Sequence, residues 1–278
     1  MVIDKIALTL AIIGALNWGS VGLFGFDCVA FLFGGQTGML SRVIYTLFFG
    51  TSGVLSTPVQ VCAKFIAVFI IFGGFLERTG IASFFIDAAN AIAGWTSGGP
   101  AKVAVISSAL CGMVSGSSVG NTVTTGSVTI PMMKKCGYRP EFAGAVEAAA
   151  STGGQIMPPI MGAAAFLMAE YMGVPYATVA LKAILPAVLY FAGIYIAVHL
   201  EAQKLGLRGI PREELPQMRV LMKQIYLLAP LIVLVVLVST NTFTMQFSAS
   251  VAIFAAIAVG ALNRNNRITL KKIVDALE

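Results

Sequence analysis

The sequence predicts an all-α, polytopic helical membrane protein, and three observations lead to that prediction. The chain of 278 residues has a mean hydropathy of +0.89. Only 11% of its residues are charged, whereas a soluble domain has about 25%. Its apolar segments are long and lack the alternation, over about ten residues, of a transmembrane β-strand. Because the bilayer core offers no water, each segment must satisfy its own backbone hydrogen bonds, as a helix does.

The predicted elements begin with Ile6–Phe24, which is long enough to span a bilayer. Its weak basic start and its lack of a convincing cleavage site indicate a retained helix rather than a signal peptide. Val43–Leu55 is short and interrupted by Gly and Ser, so we expect it only to dip into the membrane. Val59–Leu76 is a full span, and the amphipathic residues 82–95 are expected to lie along the membrane interface.

The chain from residue 103 onward contains two long apolar segments that polar residues interrupt, followed by three uninterrupted spans. Val103–Met133 contains the polar run SGSSVGNTVTT, and Phe142–Met172 contains STGGQIMPP at residues 151–159. The uninterrupted spans are Tyr176–Leu200, Ile225–Ser239 and Phe247–Leu262.

The distribution of basic residues predicts which loops face the cytoplasm. Residues 201–223 form the richest basic loop, and the basic tail lies two spans later, on the same side. Counting spans back from this loop places Lys134, Lys135 and Arg139, which follow residues 103–133, in the cytoplasm. Lys102, which precedes the segment, is assigned to the same side, together with Glu77 and Arg78. Because both flanks share one side, this segment is predicted to be a re-entrant helical hairpin. Its 31 residues, at about 1.5 Å each, allow two half-crossings with a turn at SGSSVGN (115–121).

Polar groups at membrane depth are costly unless they bind something. In the second interrupted segment, Gly153 and Gly154 free the backbone, while Pro158 and Pro159 remove two amide donors. Unwound carbonyls together with Ser, Thr, Asn and Gln oxygens are hard ligands that suit Na⁺, and secondary transporters build such sites from broken helices. A small-residue packing face and a simple proline kink are the alternative interpretations. Glu147 is a further deep carboxylate, either a structural partner or a proton or cation ligand.

Residue content disfavours other functional classes. The four cysteines form no CxxC pair and His199 is the only histidine, so a Cys/His zinc site is not supported. An intramembrane serine protease that pairs a hairpin serine with His199 is a weak alternative, because His199 lies at the predicted cytoplasmic end of its span. The sequence has no phosphate-binding loop and no basic stripe with aromatics. We therefore expect neither an enzyme nor an organic cofactor, and no nucleic-acid partner.

One long stretch closely resembles a known family: GMVSGSSVGNTVTTGSVTIPMMKKCGYRPEFAGAVEAAASTGGQIMPPIMGAAAFLMAEYMGVPY. It is similar to the fused permeases, or large membrane subunits, of TRAP (tripartite ATP-independent periplasmic) transporters, and more specifically to the branch paired with TAXI-type binding proteins. The stretch VHLEAQKLGLRGIPREELP continues the match, which covers about residues 55–278.

The resemblance implies a multi-pass permease of the bacterial inner membrane. A Na⁺ gradient would drive uptake of an organic acid by an elevator-type motion, and a periplasmic TAXI-type substrate-binding protein would deliver the acid. Besides the solute and this protein, the surrounding membrane lipid is the expected partner. The membrane portion of the family consists of two inverted repeats, each with a re-entrant hairpin and a broken helix.

The resemblance also implies two groups of site residues. Those at the hairpin tip and just after it are Ser115, Gly116, Ser117, Ser118, Asn121, Thr124 and Thr125. Those in the helix break are Ser151, Thr152, Gly153, Gly154, Gln155 and Pro158. One Na⁺ is expected near Ser117, Asn121 and Gly153, held by backbone carbonyls of residues 115–121 and 151–155, with the solute beside it.

The chain departs from the family pattern at both ends. Residues 1–48, which contain ALNWGSVGLFGFD, resemble a small uncharacterised two-helix bacterial membrane family. After the permease-like residues 55–262, residues 263–278 resemble the cytoplasmic start of a second repeat, whose hairpin and broken helix do not follow. The alternatives to a working permease are therefore a truncated or chimeric remnant without transport, and a half-transporter that needs a second chain to supply the missing repeat.

Overall fold

The computed structural model describes residues 43, 45–49, 53–54, 56–240 and 242–263, and these residues form helices and no strand. The all-α prediction is confirmed for them. The predictions for Ile6–Phe24, for most of Val43–Leu55 and for the tail after residue 263 lie outside the described residues.

Two compact units divide the chain after residue 63. In the first, the described residues form a π-helical turn, Tyr45–Phe49, and the short helix α1, Thr57–Val61. The second unit contains α2 Ala67–Arg78, α3 Ile81–Ala93, α4 Gly99–Ser115, α5 Ser118–Lys135, α6 Pro140–Gly153, α7 Ala163–Met172, α8 Tyr176–Lys204, α9 Met218–Lys223, α10 Ala229–Ser239 and α11 Met245–Leu262.

Several described helical stretches are long and apolar enough to cross a membrane. They are Thr57–Arg78, Tyr176–Lys204 and Met245–Leu262, and the pair Arg212–Lys223 and Ile225–Ser239, bent by 65°, adds a fourth if it is taken as one span. These stretches coincide with four of the predicted spans. The prediction of a polytopic helical membrane protein is therefore confirmed.

The segment predicted as a hairpin is a pair of packed helices, α4 and α5, joined by Gly116 and Ser117. The two arms have 17 and 18 residues, so each is about 26 Å long at 1.5 Å per residue. Half of the hydrocarbon core is about 15 Å thick. Each arm is thus longer than the half-crossing that the sequence predicted, because the turn takes up only two residues and nearly all of residues 103–133 are helical.

The two ends of the hairpin lie together. The Tyr138 hydroxyl, just after α5, donates to the Gly98 carbonyl, just before α4, over 3.4 Å. The Ser97 hydroxyl donates to the Leu207 carbonyl over 2.9 Å, which brings in the basic loop after α8. We call residues 94–98, 136–139 and 207–212 the hairpin base. Their contacts agree with the prediction that these loops share one side of the membrane.

Helix α3 differs from its predicted position along the membrane interface. At its start, Ile81 lines a small cavity together with Ser115 at the hairpin tip. At its end, Ala89 and Ala93 pack with Val103 near the hairpin base. The apolar face that made this helix look interfacial is therefore buried along the hairpin.

Two charged residues also lie elsewhere than the sequence predicted. Glu77 lines the same small cavity as Ser115, so it lies near the hairpin tip rather than beside Lys102. Lys102 lies one α4 length away, where only 3% of it is exposed. Its ammonium group donates to the Thr96 hydroxyl over 3.2 Å and lies over the ring of Tyr195. Lys102 thus packs against the hairpin base through Thr96 and does not face solvent.

A core of small and aromatic side chains holds the hairpin against α6 and α8. Its buried members are Ala101, Ala104, Val105, Met133, Tyr138, Ala143, Val146, Ala150, Phe191, Val198 and Ala202. Small residues let helix backbones approach closely, which is the main source of helix association in lipid. This packing positions the hairpin tip against the end of α6.

Candidate functional site

The hairpin tip is shorter than predicted. Only Gly116, with φ of 59°, and Ser117, in an extended conformation, lie outside the helices. The Ser117 hydroxyl accepts a hydrogen bond from the Gly120 amide over 3.2 Å, so Ser117 is the N-cap of α5. Ser118 and Asn121 therefore lie in the first turn of a helix, although the sequence predicted a turn over residues 115–121.

The break after α6 also begins later than predicted. Ser151, Thr152 and Gly153 form the last turn of α6, and a 3₁₀ turn, Gly154–Ile156, follows. Residues 157–162 are not helical, the Pro158–Pro159 peptide bond is cis, and Met161 has a φ of 53°. The Tyr176 hydroxyl on α8 donates to the Pro159 carbonyl over 2.8 Å. The break predicted from the glycines and prolines is present, but it comprises residues 154–162.

The tip and the break touch each other. A Cβ atom on Gly112 would lie 2.3 Å from the Gly154 Cα atom, and one on Gly116 would lie 2.2 Å from the Met161 carbonyl oxygen. Real Cβ atoms do not come this close, so both positions require glycine. The Gln155 side-chain amide donates to the Ser118 hydroxyl over 2.8 Å. The structure thus brings together the two polar segments that the sequence singled out.

Some of the predicted site residues use their side chains for other purposes. The Thr152 hydroxyl is exposed and donates to the Ala148 carbonyl of its own helix over 2.8 Å. Pro158 lines an apolar cavity of about 370 Å³, which it shares with residues of α8 and α10. Ser115 and Thr124, in contrast, line a much smaller cavity beside Asn121.

Glu147 is the centre of a buried polar cluster behind the tip. Its Oε1 atom accepts hydrogen bonds from the hydroxyls of Ser108 at 3.0 Å and Ser151 at 3.1 Å, and from Thr125. Its Oε2 atom accepts from the Thr129 hydroxyl. All five residues have no exposed surface. Thr125 and Ser151 were predicted to bind the ion or solute, but their hydroxyls are directed at this carboxylate.

Ser108 and Thr129 belong to this cluster but were not predicted from the sequence. A signal for Thr129 is present, because polar residues recur every four positions along α5 at Asn121, Thr125 and Thr129 and so share one helix face. Ser108 is next to a second serine, Ser107, on α4, and the sequence does not tell which of the two faces α6; only the packing of α4 against α6 reveals the contact.

Asn121 is the buried residue with unused hydrogen-bonding capacity at the tip. It is 1% exposed, and its side-chain NH₂ group donates to the Ser108 carbonyl over 2.8 Å. Its Oδ1 atom has no hydrogen-bond partner. The small cavity that it lines has a volume of about 10 Å³, close to the smallest that holds one water-sized particle. Buried polar atoms without a partner are rare in native structures and call for an explanation.

The oxygen-bearing residues that line the small cavity at the tip are Asn121, Ser115 and Thr124, which are neutral, and one acidic residue, Glu77. Within the described part of the chain, no three His, Cys, Asp or Glu side chains are grouped so as to hold a metal ion. Carboxamide, hydroxyl and carbonyl oxygens are suited to a hard monovalent cation rather than to a transition metal.

A family model matches residues 6–278, which is nearly the whole chain, and its description is "Tripartite ATP-independent periplasmic transporter, DctM component". The match includes residues 6–48, which by their sequence resemble a different small membrane family. The separate origin of residues 1–48 therefore stays a prediction.

Individual relatives agree with the family match. The chain is 29% identical over 192 residues to the C4-dicarboxylate TRAP transporter large permease protein DctM of Vibrio cholerae, covering 68% of this chain and 39% of the relative. It is 29% identical over 150 residues to the protein of that name from Pseudomonas aeruginosa, covering 54% of this chain and 35% of the relative. A stretch of 54 residues, 19% of this chain, is 54% identical to the uncharacterized membrane protein YuzA of Bacillus subtilis, covering 68% of it. The chain spans less than half the length of the permeases it matches.

Proposed function

Because this chain belongs to the DctM component family of the tripartite ATP-independent periplasmic transporters, we propose that it serves in the Na⁺-coupled uptake of an organic acid. It is a multi-pass protein of the bacterial inner membrane and a TRAP-type transport component. The Na⁺ coupling, the solute and the partners are the proposed parts of this assignment.

The proposed solute class follows from the relatives. The names of the Vibrio and Pseudomonas proteins specify C4-dicarboxylates, and a carboxylate solute agrees with a site built to hold a cation beside it. The family name describes a tripartite periplasmic system, so we propose a periplasmic binding protein as the partner. The motif resemblance favours the TAXI type for that protein. A second chain that supplies a further repeat stays part of the proposal.

The observation that supports an ion site is the unpartnered Oδ1 atom of Asn121. It is a buried oxygen at the tip, beside a cavity with room for one small particle. Residues of this kind fit Na⁺, because broken helices and hairpin tips supply neutral oxygens to alkali cations in secondary transporters. In this proposal Asn121 is a side-chain ligand, and backbone carbonyls near Ser117 and Gly153 complete the set. A bound Na⁺ would supply a positive charge that favours a carboxylate solute nearby.

The fold supports a re-entrant hairpin and an elevator-type motion as the means of transport. The hairpin base is formed by loops that contact one another, and the hairpin tip contacts the helix break. Hydrogen bonds to Glu147 join α4, α5 and α6. A body connected in this way can move as one piece relative to its surroundings.

Thermal unfolding of the purified chain in detergent tests the ion site. The midpoint is measured in NaCl and in equimolar KCl and choline chloride. A ligand that binds only the folded state stabilises it by RT ln(1 + [L]/Kd), so we expect a higher midpoint in NaCl only. Asn121→Leu should abolish that difference, while the control Thr152→Val, which changes a hydroxyl bonded within its own helix, should keep it. Equal midpoints in the three salts would refute the ion site and would favour a chain that does not transport by itself.

A further inference from the structure

Four hydroxyl groups surround the buried carboxylate of Glu147. Three hydroxyls contact Oε1 and one contacts Oε2, and they belong to α4, α5 and α6. A carboxylate has about four lone-pair positions. One acceptor position on Oε2 stays open, but Glu147 has no exposed surface and lies behind these hydroxyls, so we assign it a role in the site that is exerted through its neighbours.

Two of those neighbours hold Asn121. Ser108, whose hydroxyl is bound to Glu147, accepts the Asn121 NH₂ group at its carbonyl oxygen. The Thr125 hydroxyl lies between Glu147 and the main-chain carbonyl oxygen of Asn121, 2.8 Å away, and has one proton to share between these two acceptors. Because a backbone carbonyl can only accept, the NH₂ group must face Ser108. The side-chain oxygen Oδ1 is thereby left for another partner.

Stability by itself does not account for Glu147. Among the residues that the structure describes, no basic side chain lies within ion-pairing distance of its carboxylate. Burying an ionic group is costly, and well-packed apolar residues in place of such groups often leave stability unchanged or raise it. We therefore explain the glutamate at this position by the side chains that its carboxylate holds in place, and not by a gain in folding free energy.

We infer that Glu147 is a positioning residue for the Na⁺ site: its carboxylate, held by Ser108, Thr125, Thr129 and Ser151, fixes the orientation of Asn121 at the hairpin tip. This inference rests on the proposed ion site. It assigns to Glu147 a contribution to Na⁺ affinity without contact with the ion. The hydroxyl cluster connects both arms of the hairpin to α6, so loosening it allows the Asn121 side chain to rotate.

The test is a Na⁺ titration of the unfolding midpoint at constant ionic strength, with choline as the replacing cation. For Glu147→Gln we expect the Kd for Na⁺ to rise by about tenfold, equivalent to about 1.4 kcal/mol. Glu170→Gln is the matched control, because Glu170 is exposed at the end of α7, and its Kd should equal that of the wild type. Thr129→Val removes the one hydroxyl on Oε2 with little change in shape and should raise the Kd by a smaller factor.

The outcomes separate the two hypotheses. A wild-type protein that does not respond to Na⁺ refutes the ion site itself. A wild-type protein that responds, with an unchanged Kd in Glu147→Gln, overturns only the role of Glu147. A lower midpoint in choline together with an unchanged Kd would mean that Glu147 is purely structural. If Glu147→Gln does not fold, the Kd of Thr129→Val decides the question in the same way.

Discussion

The contact between Gly112 on α4 and Gly154 at the helix break leads to a quantitative prediction for Gly112→Ala. The added Cβ atom would lie 2.3 Å from the Gly154 Cα atom and 3.3 Å from its carbonyl carbon. Both are backbone atoms, which cannot rotate away. An ordinary contact between two carbon atoms is roughly 3.5 Å long. The tip and the break must therefore separate by more than 1 Å.

This separation has two energetic consequences. Overpacking of this kind costs about 1–3 kcal/mol. The hydrogen bond from Gln155 to Ser118, now 2.8 Å long, would be stretched beyond bonding distance, which costs about 0.5–1.5 kcal/mol more. The expected loss of folding free energy is about 1.5–4.5 kcal/mol, which lowers the unfolding midpoint by about 3–18 °C at about 2–4 °C per kcal/mol.

The assay is thermal unfolding in detergent, and the chain offers a matched control in Gly144→Ala. Gly144 lies in the neighbouring helix α6, where an added Cβ atom would have no atom within 4 Å. Its replacement should leave the midpoint unchanged or raise it, since alanine favours a helix by about 1 kcal/mol over glycine. The reasoning is refuted if Gly112→Ala unfolds at the temperature of the control.

Two further predictions concern the hairpin base. Single cysteines that replace Ser97 and Lys135, both exposed, should be labelled from the cytoplasmic side. A cysteine that replaces the buried Lys102 should react slowly. Labelling of the first two cysteines from opposite sides of the membrane would contradict the re-entrant hairpin. Burial raises the pKa of Tyr138 from 10.0 to about 12, so the unfolded chain releases this proton first, and stability should fall as the pH rises from 10 to 12. Tyr138→Phe should remove this part of the pH dependence of the unfolding midpoint, and an identical profile in the variant would show that other groups cause it.

The polar segments were predictable because their composition contrasts with that of their surroundings. The run at residues 115–125 and the Gly–Pro-rich residues 151–159 stand out in a chain that is 58% hydrophobic. Glycine and proline have local conformational effects that do not depend on the rest of the fold. The existence of a tip and a break therefore followed from the sequence. Their limits did not, because a single cap, the Ser117 hydroxyl on the Gly120 amide, decides where α5 begins.

The position of α3 could not be predicted by the same reasoning. An apolar face indicates only that a helix packs against something apolar, and lipid or protein satisfies it equally. The sequence indicated the membrane interface for residues 82–95, whereas Ala89 and Ala93 pack with Val103 on the hairpin. The choice between lipid and protein depends on which helices lie nearby, and that is decided by the fold.

By itself, the sequence determined the membrane class, most of the spans and the two polar interruptions. These properties depend on hydropathy, charge and local backbone preferences, which act over a few neighbouring residues. Tertiary structure alone decided that four hydroxyls from three helices converge on Glu147 and that Asn121 keeps an unpartnered oxygen. Ser108 and Glu147 are 39 positions apart, and a hydrogen bond between side chains so distant in the chain exists only where packing brings their atoms within about 3 Å.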